Sequence, residues 1–307
     1  MKIQNLLTLA STAVLIANAS AVVTIDYITV ANPNNAADTT GYGSVAYNYE
    51  IGKYEVTNAQ YAAFLNAVDP TGSNPNGIYN TSMGTHYTGG ITFNSGASAG
   101  AKYTIRSNYG DMTNRPVNFV SWFDAARFSN WMHNGQGAGS TETGAYTLSG
   151  NTGIVTKNVG ATIYIPSENE WYKAAYYNGT NSSYSPYANG QSSITTADAN
   201  YGWAIEQVTV VGSYTNDPSS YGTFDQGGNV SEWNDAVISG TLRGVRGGSF
   251  GSGFYDNSSP LLSSARSSAS PTIENESTGF RVASVPEPSA MVLTVLASGM
   301  MLIRRKR

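Results

Sequence analysis

The sequence contains no cysteine. That absence excludes disulfides, thiolate metal sites, iron–sulfur clusters and cysteine nucleophiles together. Charge is also scarce: Asp, Glu, Lys and Arg make up 12% of the residues, against about 25% in a typical soluble domain. Only two histidines occur, His86 and His133. No apolar run reaches the roughly 20 residues a helix needs to cross the hydrocarbon core, and no internal repeat of about 20 to 50 residues is visible. What fills the space is Gly, Ser, Thr, Asn and Tyr, a surface chemistry more at home outside the cytoplasm than within it. The length of 307 residues suits one large domain or two ordinary ones.

The two ends point the same way. Lys2, an apolar run from Leu6 to Ile16, and Ala17-Asn18-Ala19 or Ala19-Ser20-Ala21 as a small-residue cleavage site read as a secretory signal peptide over 1–21. Beyond the central domain, 22–284, the segment 285–307 carries Val285-Pro286-Glu287-Pro288, a short apolar stretch from Ala290 to Ile303, and Arg304-Arg305-Lys306-Arg307. This order resembles the bacterial PEP-CTERM sorting signal. The resemblance implies an exported protein tethered at the membrane through a short hydrophobic helix until an exosortase removes the tail. The bland alternative is a permanent single-span anchor. Five of the sixteen basic residues sit in these ends, leaving eleven against at most twenty acidic ones, near −9. Such a balance opposes nucleic-acid or anionic-membrane binding, which needs clustered Lys and Arg.

Within the domain, β-branched and aromatic residues predict strands over 22–30, 47–56, 91–93, 102–105 and 162–165. Further short strands are expected over 207–214, 244–250 and 279–284. Thr57 with Gln60, Ser121 with Asp124, and Ser167 with Glu170 each have the spacing of a capping box, so helices are expected to start at those three points. No helix of similar quality follows Asn178. Strand and helix do not alternate as in a doubly wound sheet, and the fold class read from the pattern is α+β.

The densest stretch is Asp225-Gln226-Gly227-Gly228-Asn229-Val230-Ser231-Glu232-Trp233, followed by Arg243-Gly244-Val245-Arg246-Gly247-Gly248-Ser249-Phe250. Asp225 and Glu232, with glycine carbonyls between them, could supply several of the six to eight oxygens that calcium takes. The competing reading pairs Glu232 with Arg243 or Arg246, as buried charges require.

Ile51-Gly52-Lys53-Tyr54-Glu55-Val56-Thr57-Asn58, Arg115-Pro116-Val117-Asn118-Phe119-Val120-Ser121-Trp122, Ile165-Pro166-Ser167-Glu168-Asn169-Glu170-Trp171, Gly228-Asn229-Val230-Ser231-Glu232-Trp233, Arg246-Gly247-Gly248-Ser249-Phe250 and Gly279-Phe280-Arg281, taken in order, resemble the formylglycine-generating, sulfatase-modifying-factor domain. The resemblance runs from about Tyr47 to Ala283. It implies a single C-type-lectin-like α+β domain with little regular secondary structure. It also implies a calcium site built from the Asp225 and Glu232 side chains with the Gly228 and Val230 carbonyls, and a second at the Asn200 side chain and the Tyr201 carbonyl. Arg246, Arg266 and Arg281 match family arginines, for which forked pairing with buried carboxylates is the expected role.

The best-known members are copper-dependent oxidases that convert a sulfatase cysteine to formylglycine, using two cysteines just after the Arg-Gly-Gly-Ser motif. Here that segment reads Gly251-Ser252-Gly253-Phe254-Tyr255-Asp256-Asn257-Ser258, and oxygen ligands do not replace thiolates for Cu(I). The related iron sulfoxide synthases use three histidines, and this chain has two. Ser231 stands where those enzymes usually have tryptophan. The expectation is therefore a non-catalytic binding or structural module at the cell surface or in the extracellular matrix, carrying structural calcium and no copper or iron. Its expected partners are the exosortase machinery and an extracellular polysaccharide or surface protein. The rival is a divergent metal-dependent oxidoreductase.

Overall fold

The structure, a computed structural model, describes residues 22–150, 153–253 and 257–285. The segment expected to be a signal peptide, 1–21, and all but the first residue of the expected sorting tail, 285–307, lie outside the described residues. Antiparallel strands β1 (Tyr27–Val30) and β2 (Tyr49–Gly52) open the domain, with Ile28 opposite Ile51. Both are shorter than expected. The second stops at Gly52, where a Cβ would meet the Tyr54 carbonyl at 3.0 Å, so the chain is already folding back. Tyr49 and Ile51 are buried as the alternation requires, and Glu55 is buried beyond the strand.

All three expected helices form on closed capping boxes. In α1 (Asn58–Val68) Gln60 N donates to Thr57 Oγ1 and Thr57 N donates back to Gln60 Oε1 at 2.8 Å. After a short unforeseen turn, α2 (Ser82–Thr85), the hairpin of β3 (Ile91–Phe93) and β4 (Tyr103–Ile105) packs on α1, where Asn66 bonds both the N–H and the carbonyl of Tyr103. Helix α3 (Trp122–His133) starts at Ser121 and is buried on nearly every side. Its Phe128 ring meets Phe64 and Phe280 at 5.5 and 5.4 Å, which fixes the centre of the core. Strand β5 (Ile163–Tyr164) leads to α4 (Glu168–Tyr176), capped by Ser167 with Glu170. A small hairpin, β6 (Tyr177–Asn178) with β7 (Ser183–Tyr184), follows it.

Beyond that hairpin the described chain holds strands, irregular backbone and one 3₁₀ turn, Ser259–Leu261. The strands are β8 (Ser231–Ser239), β9 (Leu242–Arg246), β10 (Ser267–Ala269), β11 (Thr278–Gly279) and β12 (Ala283–Ser284). They complete two four-stranded sheets, ordered β1-β2-β12-β5 and β10-β9-β8-β11.

Three strand expectations need correction. Residues 207–214 form no strand; two of their amides are taken by side chains, Thr209 N by Asn229 Oδ1 and Gly212 N by Asp225 Oδ2. The strand expected over 244–250 ends at Arg246, because Gly247 and Gly248 both turn to positive φ. The one expected over 279–284 is two separate strands. Conversely, the stretch after Val230 is the longest strand, with nine residues.

The split at the end of the domain positions the site. Gly279 in β11 lies parallel to β8, beside Glu232, while Ala283 in β12 is inserted between β2 and β5. The intervening Phe280-Arg281-Val282 crosses from one sheet to the other, carrying Arg281 through the interior. Among the described residues no helix is long and apolar enough to cross a membrane.

Candidate functional site

Two polar clusters are built on β8 and β9. In the first, Arg281 grips Glu232: Nε donates to Oε2 at 2.6 Å and Nη2 to Oε1 at 2.7 Å. Trp171 Nε1 adds a third donor on Oε2 at 2.8 Å. The remaining guanidinium donors go to the carbonyls of Gly52, Lys53 and Phe224. The partner of Glu232 is therefore neither Arg243, which pairs with Asp235 at 3.0 Å, nor Arg246, which pairs with Glu168 at 2.8 Å. Strand geometry explains the correction. Glu232 is opposite Arg246 in the β8–β9 ladder, but the Arg246 side chain runs to α4 while Arg281 enters from the crossing strand.

Beside this ion pair, Asn229 ties Glu55 to Asn200. It adopts φ +60, a left-handed conformation that Asn tolerates better than most residues. Its N–H donates to the Asn200 carbonyl at 2.8 Å, Nδ2 donates to Glu55 Oε1 at 3.0 Å, and Oδ1 accepts from Thr209 N and Asn200 Nδ2. Gly228, at φ +97, makes the approach possible, because a Cβ there would sit 2.4 Å from the Asn200 carbonyl oxygen. Thus Asn200 and the segment from Asp225 to Glu232, predicted as parts of two metal sites, belong to one continuous polar network. Sequence reasoning missed Glu55 and Asn229 as its members.

The network gathers three carboxyl groups, those of Glu55, Asp225 and Glu232. Burial, then the neighbouring Asp225, pushes the Glu55 carboxyl well above its ordinary value. Asp225, partly exposed by area, is pushed up to about 6, by desolvation first. One guanidinium faces Glu55, Asp225 and Glu232.

One buried acceptor, Asn200 Oδ1, has no hydrogen-bond partner among the described residues. An all-oxygen donor set with an orphaned acceptor fits a hard cation such as calcium. No group of three or more His, Asp or Glu side chains among the described residues could hold a metal ion by itself. Calcium here would need Asp225 and Glu232 together with the Gly228 and Val230 carbonyls, or Asn200 Oδ1 with the Tyr201 carbonyl.

The second cluster forms a cleft of about 360 Å³ between β9, β10 and the strand entering β11. Its wall includes Gly247, Gly248 and Ser252, so the segment in which the resembling oxidases carry their thiolates brings a hydroxyl to the cleft. Ser252 Oγ accepts from Ser249 N at 2.9 Å. Arg246 and Arg266, both in the wall, converge on the single carboxylate of Glu168. Burial would raise the Glu168 carboxyl, but the two guanidinium groups hold it below the usual range. The Tyr42 ring lies 4.7 Å from Arg246 and 5.1 Å from Arg266.

Neither histidine lies among the residues lining this cleft. His86 bonds Thr88 and faces Glu276 at 3.2 Å, and His133 bonds Thr162 at the end of α3.

The sulfatase-modifying factor enzyme 1-like (FGE-sulfatase) domain matches residues 29–285. Variable protein 1 of Treponema denticola is similar in structure, with a TM-score of 0.55, 20% identity, and coverage of 85% of this chain and 95% of that one. The crystal structure of CarF also has a TM-score of 0.55, at 21% identity, covering 86% of this chain and 99% of the other. These likenesses concern the fold. No curated protein matches the sequence. With one family domain spanning almost the whole of the described fold, the chain belongs to the sulfatase-modifying-factor, FGE-sulfatase family.

Proposed function

We propose that this protein is an exported, surface-associated member of the family that acts as a non-catalytic binding module, taking its ligand in the cleft between β9 and β10. The observation that carries the reading is the missing sulfur chemistry: the chain has no cysteine, and the cleft wall carries the hydroxyl of Ser252. A soft cuprous ion requires thiolate or thioether ligands, which serine does not provide. The glycine pair and the flanking strands remain, so the shape of a binding site is retained without the oxidising centre.

Calcium at the Asn229 network is part of the proposal, with Asp225, Gly228, Val230 and Glu232 for one ion and Asn200 with Tyr201 for another. It is supported by three acidic side chains set against one guanidinium and by the orphaned Asn200 Oδ1. Secretion through the leader and sorting by an exosortase through the Pro-Glu-Pro tail complete the reading. The charge scarcity and the order of residues at both ends support it.

The test is binding of the purified protein to fractionated extracellular polysaccharide and surface protein from the producing cell, compared with a variant in which Gly248→Phe fills the cleft. Saturable binding lost in the variant supports the module. Equal binding by both proteins, or none by either, rejects it.

A further inference from the structure

We propose that the cleft is specific for an acidic sugar, whose carboxylate is held by Arg266 and whose hydroxyls are read by Ser231 and Asn275. This deepens the binding-module reading and rests on it.

The argument begins with how the two arginines divide their donors. Arg246 engages protein through all three nitrogens: Nε and Nη2 meet Glu168, and Nη1 meets the carbonyls of Ser263 and Ala265. Arg266 spends only one edge. Its Nε and Nη2 close a fork on Glu168 at 2.8 and 2.7 Å, while Nη1 has no acceptor among the described residues and the side chain is 32% exposed. Two guanidinium groups against one carboxylate leave one positive charge. Among the described residues, Arg246 and Arg266 are the only charged ones lining the cleft. A fixed arginine with a free N–H at a cavity lined by no described carboxylate is suited to an oxyanion.

The rest of the wall chooses among oxyanions. Ser231 Oγ and Asn275 Nδ2 also have no partner among the described residues, and both residues line the cleft and are half-buried. The apolar part of the wall is Val245, Pro260, Ala265 and Ala269, all small, and no aromatic ring is among the described lining residues. A peptide would need apolar pockets for its side chains. A compact ligand bearing one anionic group and several hydroxyls matches the three free donors, and about 360 Å³ falls within the range of small-molecule sites.

The experiment is isothermal titration of the full chain with glucuronate, methyl glucoside, glucose 6-sulfate and an N-acetyl-aspartate amide. The expected result is that glucuronate binds about tenfold or more tightly than methyl glucoside, the margin of a charge-assisted contact. Arg266→Gln removes this preference, and Ser231→Ala and Asn275→Ala each weaken glucuronate severalfold. Those two residues lie outside the Arg–Glu–Arg group, so they keep the test open if Arg266→Gln lowers the melting temperature. Tighter binding of glucose 6-sulfate keeps the acidic-sugar assignment and changes the oxyanion to sulfate. Equal binding of methyl glucoside, insensitivity to all three substitutions, or preference for the aspartate amide overturns the inference while leaving a binding module. Absence of binding by every probe, with polysaccharide and surface protein also unbound, overturns both.

Discussion

Arg281 and Glu232 close a two-pronged ion pair at 2.6 and 2.7 Å, and neither side chain is exposed to solvent. The pair joins the strand that crosses between the sheets to the longest strand of the domain. Its energetic value depends on both partners, because a buried charge left alone bears its full desolvation cost. Glu232→Gln is therefore expected to destabilise the protein by about 3 to 5 kcal/mol. Arg281→Lys should also be costly, since a lysine cannot reproduce the fork. Urea denaturation of both variants checks this.

The Asn229 network gives the stability a pH dependence. Asp225, at about 6, and Glu55 lie above their unfolded values mainly through burial. The folded state then binds more protons than the unfolded state between the two pKa values, so these groups stabilise at low pH and their contribution is lost as pH rises through the folded pKa. In chelator, the melting temperature is expected to fall from pH 4 to pH 7, and Asp225→Asn should flatten the decline. If calcium occupies the site, adding it should raise the melting temperature most near pH 7, where the ligands are ionised. Calorimetry with and without calcium reads both effects.

Gly228 tests the same network through its backbone. A Cβ there would lie 2.4 Å from the Asn200 carbonyl at φ +97, whereas Gly240, at φ +56, has nothing within 4 Å. Both substitutions incur left-handed strain of about 1 to 3 kcal/mol. Gly228→Ala is expected to cost clearly more than Gly240→Ala, and chemical denaturation of the two gives the difference.

The helix starts offer a smaller, graded effect. Ser121→Ala and Ser167→Ala each remove a side-chain acceptor from an N3 amide and are expected to cost about 1 kcal/mol. Thermal melts suffice to measure it.

The contrast between these sites shows what could be read from the chain and why. Capping boxes are local, with three-residue spacing, and all three helices begin at the expected serine or threonine. The partner of Glu232 is 49 residues away and reaches it only because residues 279–283 pass between two sheets. Glu55 lies 174 residues before Asn229, and its only early signal was membership of a family motif. Residues 207–214 have β-branched character but lose strand pairing because Asn229 and Asp225 take amides from them. The arginine forks were expected, since a buried guanidinium needs a carboxylate; which carboxylate is a property of the fold.

The central claim is that a scaffold shared with oxidases of peptide cysteine binds without oxidising. The direct measurement is mass spectrometry of a sulfatase-type cysteine peptide incubated with the purified protein, copper and oxygen. The account predicts that the cysteine mass is the same as in a protein-free control. Accumulation of the formylglycine product above that control would contradict it.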